Sequence, residues 1–141
     1  MVKEQQPIFL VGSPVCTAWC SWQALNESRP ECDQGLLRRE KVRAAVHLDF
    51  VTMLYREQLM NGRYFVHEHP EAATSWSHPT INEILKDERV HRATCHQCQY
   101  GACVQYGARK GRPVKKATTF MSNAPEVLAQ VSAKCGAHGG S

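Results

Sequence analysis

Long apolar runs are missing from this sequence. The longest, Pro7-Ile8-Phe9-Leu10-Val11, falls far short of the roughly 20 residues that a membrane helix needs, which predicts a chain with no membrane partner. Met1 to Gln6 is polar and lacks the apolar core of a secretory signal. That predicts an intracellular protein whose seven cysteines are reduced thiols, metal ligands or a nucleophile, because cytosolic disulfides are rare. Neither sign of charge dominates: 17 Lys+Arg against 13 Asp+Glu leave +4, which permits nucleic-acid binding without arguing for it. No internal repeat is present, and the one low-complexity stretch is the Gly-rich tail 136–141. Residues 1–135 therefore read as a single domain. With 43% hydrophobic and 21% charged residues among 141, disordered, collagen-like and fibrous classes are excluded.

What is there alternates between strands and helices. Ile8 to Val11 is a continuous apolar run stopped by Gly12-Ser13-Pro14, the pattern of a strand buried on both faces. Residues from about Gln34 to Met60 read as a long helix, with Leu37, Val42, Ala45, Val46, Met53 and Leu54 recurring near helical spacing and Asn61-Gly62 as the stop. Tyr64-Phe65-Val66 is a second buried strand, ending at His67-Glu68-His69-Pro70, and Pro79 to Glu88 a short helix. Val90 to Gln97 and Lys116 to Met121 are strands pairing across the basic loop Gly101 to Pro113. Ala124 to Lys134 closes the chain as a helix, with Asn123 as its cap. This order points to an α/β layer with parallel central strands and a terminal antiparallel hairpin.

Ligands of open α/β sheets bind beyond the carboxyl ends of the strands. One such end carries Cys16, expected near the start of the next helix, where the dipole favours thiolate. The other carries Glu68, whose acidity partial desolvation would weaken toward neutral pH. A nucleophile beside an acid is the chemistry this pairing offers.

These residues resemble the DNA cytosine-5 methyltransferases. Gly12-Ser13-Pro14-Val15-Cys16-Thr17-Ala18-Trp19-Cys20 is similar to their Gly-Gly-Pro-Pro-Cys-Gln-x-Phe-Ser nucleophile loop. Phe65-Val66-His67-Glu68-His69-Pro70 is similar to their Phe-Val-x-Glu-Asn-Val signature, and Gln99-Tyr100-Gly101 with the following basic strand to their Tyr-Gly turn. Val15 and His69-Pro70 depart from the pattern. The resemblance implies a three-layer, partial Rossmann-like methyltransferase sheet, mostly parallel with the antiparallel hairpin at its end. It implies Cys16 attacking carbon 6 of a flipped cytosine, Glu68 holding or protonating ring nitrogen 3, and Pro14 beside the cofactor. Arg109, Arg112, Lys115 and Lys116 would contact the phosphates of DNA, the implied partner. S-adenosylmethionine is the implied cofactor, yet the family's upstream Phe-x-Gly-x-Gly loop has no counterpart here. The expectation is a catalytic half completed by a separate N-terminal half.

Competing readings stay open. Cys16 also reads as a small core residue, and Glu68 as a cap or a partner of Arg63. His67 and His69 read as supporting or surface groups. Trp19 and Trp22 read as packing the loop, or as stacking on a base. Cys95-x-x-Cys98 with Cys135-x-x-His138 has the makings of a tetrahedral zinc site, although the stretch from Cys98 to Cys135 is wider than compact zinc fingers use. The whole reads alternatively as a non-catalytic nucleic-acid-binding remnant of a mobile-element or phage-like protein, or as a zinc-stabilised interaction module.

Overall fold

A computed structural model describes residues 1–136. Four strands, β1 (Phe9–Gly12), β2 (Tyr64–Pro70), β3 (His91–His96) and β4 (Ala117–Ser122), form one mixed sheet in the order β1-β2-β4-β3. β1 and β2 are parallel, and β4 is antiparallel to both of its neighbours. The sheet is therefore not mostly parallel: one of its three pairings is parallel, because β4 is inserted between β2 and β3. Three strands still point the same way. The expected β3–β4 hairpin is present.

Among the described residues five α-helices accompany the sheet: α1 (Val2–Gln5), α2 (Trp22–Glu27), α3 (Gln34–Met60), α4 (Pro79–Leu85) and α5 (Pro125–Gln130). The bounds of α3 follow from its ends. Asp33 accepts a hydrogen bond from the Leu36 amide at 2.9 Å, and Gly62, at φ +65°, takes the left-handed conformation that lets the chain turn out of the helix.

The apolar pattern along α3 misleads about its inner face. Leu48, Thr52, Tyr55, Gln58 and Leu59 are the buried positions, while Val42, Val46 and Met53 are exposed. The polar members of the inner face are tolerated because they are bonded. Gln58 donates to the Pro7 and Tyr64 carbonyls and accepts from Arg63, tying α3 to the starts of β1 and β2. Arg63 is thus a partner of Gln58, not of Glu68. Phe65, Trp76, Ile81, Ile84, Val90 and Met121 complete the core between the sheet, α3 and α4.

β1 departs from expectation too. It is an edge strand, with Phe9 and Val11 36% and 69% exposed, rather than a strand buried on both faces. Asn123 does not cap α5, whose cap position is Ala124. Instead its side chain accepts from the Phe65 amide and donates to the Arg63 carbonyl, both at 2.9 Å, fastening the end of β4 to the start of β2. Asn123→Ala leaves both groups unpaired. It is expected to cost about 1–3 kcal/mol in urea unfolding, whereas replacing the exposed Asn82 should cost far less.

Candidate active site

The loop leaving β1 is pinned to β2 and the turn after it at three points. The Ser13 hydroxyl donates to Glu68 Oε2 at 2.5 Å. His69 Nε2 lies 3.0 Å from the Pro14 carbonyl. Thr74 donates to the Trp19 carbonyl at 3.2 Å. A carbonyl only accepts, so His69 carries its proton on Nε2 and its Nδ1 accepts from Ser75 at 2.5 Å. Burial lowers the pKa of His69 and keeps it in this neutral form, opposed by the Pro14 carbonyl and the Glu68 charge. His69 is thus a supporting group in the interior, not a surface residue.

His67 lies beneath the loop. It is fully buried, with Nδ1 2.8 Å from the Tyr55 hydroxyl. Burial, reinforced by neighbouring His69, pushes its pKa down to about 3, while burial raises that of Tyr55. The tautomer in which Tyr55 donates leaves the proton on Nε2, which has no hydrogen-bond partner among the described residues. The ring stands edge to face with Trp76, centroids 5.4 Å apart, an arrangement in which a ring N–H can meet a π face.

β2 runs through Glu68 to Pro70, so the carboxyl projects from within the strand rather than beyond its end. It is half-buried and borders a hollow of about 360 Å³ with Cys95, Gln97, Tyr100, Lys116, Thr118, Phe120 and Val131. Lys116 therefore faces the same hollow as Glu68. Arg109, Arg112 and Lys115 are exposed on the preceding loop.

Cys16 is half-buried and follows Ser13 by three residues, no more than about 10 Å of extended chain. The Glu68 contact in this loop is Ser13, not Cys16. Cys16 precedes a three-residue 3-10 turn, Thr17–Trp19, instead of an α-helix. The expected dipole is thus reduced to a single turn. A second hollow, about 490 Å³, lies between this loop and α3 and is lined by Pro14, Val15, Thr17, Trp19, Glu40, Arg43 and His47. Trp19 packs on His78, and Trp22 is largely exposed.

The cysteines are arranged differently from the zinc reading. Cys98 is disulfide-bonded to Cys135, so not every thiol is free. Cys95 is buried apart from them, with its thiol pKa raised by burial and then by Glu68. Among the described residues no three His, Cys, Asp or Glu are placed to hold a metal, and His138 and most of the tail lie outside them. The C-terminal segment instead forms a wall of the Glu68 hollow, where the Tyr100 hydroxyl donates to the Gln130 carbonyl and accepts from the Ala133 amide.

Ser13, His69, Ser75 and Tyr55 hold this loop in place, and of these only His69 carries a supporting reading from the sequence, beside its surface one. Serine, histidine and tyrosine carry no motif for holding a loop. Only the clustering of polar residues after an apolar strand marked the place. No family model matches the chain, and no curated protein or solved structure matches it.

Proposed function

We propose that this chain is the catalytic half of a DNA cytosine-5 methyltransferase-like enzyme, with Cys16 as nucleophile and Glu68 as acid. The observation that carries the reading is the Ser13–Glu68 hydrogen bond. It joins the cysteine-bearing loop to the carboxyl across two adjacent parallel strands, where α/β sheets bind ligands. Helix α3 against β1 and β2, helix α5 against β3 and β4, and the chain end against the hollow of Glu68 are compatible with a partial three-layer Rossmann-like domain.

In this reading the Cys16 thiolate forms a bond to carbon 6 of a flipped cytosine. The ring electrons move toward nitrogen 3, and Glu68 supplies the proton there. Ser13 orients the carboxyl, and His69 holds the loop. Arg109, Arg112 and Lys115 hold phosphates, so affinity falls with salt.

S-adenosylmethionine would supply the methyl group, but the residues present do not make its cradle. The Pro14 ring is buried and its carbonyl is engaged by His69, while the outer edge of β1 is bare among the described residues. The chain does not fit the cofactor by itself, and no methyl-transfer step is derived from it. A complementing half would add its strand along the Ile8–Gly12 edge.

Duplex DNA carrying 5-azacytosine, mispaired so that the base leaves the stack easily, tests the nucleophile without the methyl donor. A band surviving denaturing electrophoresis is expected for the native chain. It should be abolished by Cys16→Ser and weakened about 100-fold or more by Glu68→Gln. No band, or one unchanged in Cys16→Ser, sinks the proposal. The exposed basic loop favours a second reading, a nucleic-acid-binding module without catalysis. There, salt-sensitive binding would survive Cys16→Ala and fall with Lys115→Glu.

A further inference from the structure

Helix α3 has two apolar faces, and only one is used. At about 100° per residue, Val42, Val46, Phe50, Met53 and Met60 fall within one narrow arc, opposite the buried Leu48, Tyr55 and Leu59. These five side chains are 52% to 83% exposed. Val42, Val46, Phe50 and Met53 follow one another at four, four and three residues, the spacing of a helix-packing seam, and Met60 lies seven residues on, past Glu57. Nothing in the fold requires such a stripe in water, where single apolar residues are ordinary but a contiguous row marks a contact surface.

Charge says what covers it. Along α3 the exposed basic groups Arg38, Arg39 and Arg43 precede the stripe's centre, and the half-buried Glu57 follows it beside the exposed Arg56. Among the described residues Arg39, Arg43 and Glu57 make no ion pair. Two copies of α3 laid antiparallel and centred on Phe50 bring Val46 of each against Met53 of the other, and Arg43 of each toward Glu57 of the other. A two-fold arrangement satisfies both charges twice.

We infer that the chain forms a two-fold dimer through the Val42–Met60 side of α3, the occupant of each stripe being the α3 of a second copy. The dimer leaves the outer edge of β1 free, so it holds whether or not the chain is a methyltransferase half.

Sedimentation equilibrium of the full chain at micromolar concentration is expected to give twice the 15.9 kDa chain mass. Phe50→Glu should return it to monomer without changing its circular dichroism. Arg43→Glu alone and Glu57→Arg alone should each weaken association about tenfold or more, by setting like charges across the axis. An equimolar mixture of the two single variants should recover tight association, as mixed dimers only. A monomeric native chain, which would leave the stripe to another partner, overturns the inference. So does a dimer that persists in Phe50→Glu, or a mixture that associates no better than its components.

Discussion

Gly12→Ala is expected to destabilise the chain by about 3 kcal/mol and, with it, to abolish the adduct proposed for Cys16. A β-carbon at this position would lie 1.8 Å from the Tyr55 hydroxyl oxygen and 2.8 Å from the ring carbon bearing it. Tyr55 cannot yield. It is fully buried, stacked on Phe65 at 4.4 Å between centroids, and bonded to His67. The strand must then move outward, carrying Ser13 away from Glu68 and Pro14 away from His69. Tyr55→Phe removes the nearest clashing atom, but in the native background it strips the His67 Nδ1 of its partner at a cost of about 1–3 kcal/mol. The double variant should therefore be less destabilised than the two single losses added together. Strict additivity in urea unfolding would show that the glycine is not needed for this close approach.

The second large effect is acid sensitivity. The native His67 resists protonation down to about pH 3, whereas in the unfolded chain a histidine titrates near pH 6.5. Between those values the unfolded state binds more protons, so stability rises with pH across the window and is lost as pH falls through it. The loss is about 1.4 kcal/mol per pH unit below 6.5, reaching about 4–5 kcal/mol near pH 3. His69, whose pKa is also lowered, acts in the same direction. Unfolding free energies measured between pH 7 and pH 4 should show this slope, and His67→Phe should flatten most of it. A native slope no steeper than that of His67→Phe would contradict a buried, neutral His67.

Much of the framework is legible in the sequence because it depends on neighbours along the chain. Asn61-Gly62 stops α3 through local backbone conformation, and the two apolar runs mark β1 and β2. What is not legible depends on distant pairing. Nothing local says that β4 slides between β2 and β3, or that β1 ends the sheet. The inner face of α3 is misread because Tyr55, Thr52 and Gln58 are buried as polar residues. Gln58 is satisfied by the Pro7 and Tyr64 carbonyls, which only the folded chain brings near. The same holds at the site. Cys16 and Glu68 stand out by residue type and position, but the contact is made by Ser13. His69 is assigned as a strut only once the Pro14 carbonyl is seen against it.

The central claim is that the loop held over Glu68 presents a reactive sulfur to a nucleobase. Peptide mapping by mass spectrometry of the product formed with 5-azacytosine DNA tests it most directly. A modified nucleotide should be found on the peptide containing Cys16, at Cys16 itself, and should fall when Ser13→Ala releases the Glu68 carboxyl. Modification at Cys20, Cys95 or Cys103 instead, or none on any cysteine, would contradict the account.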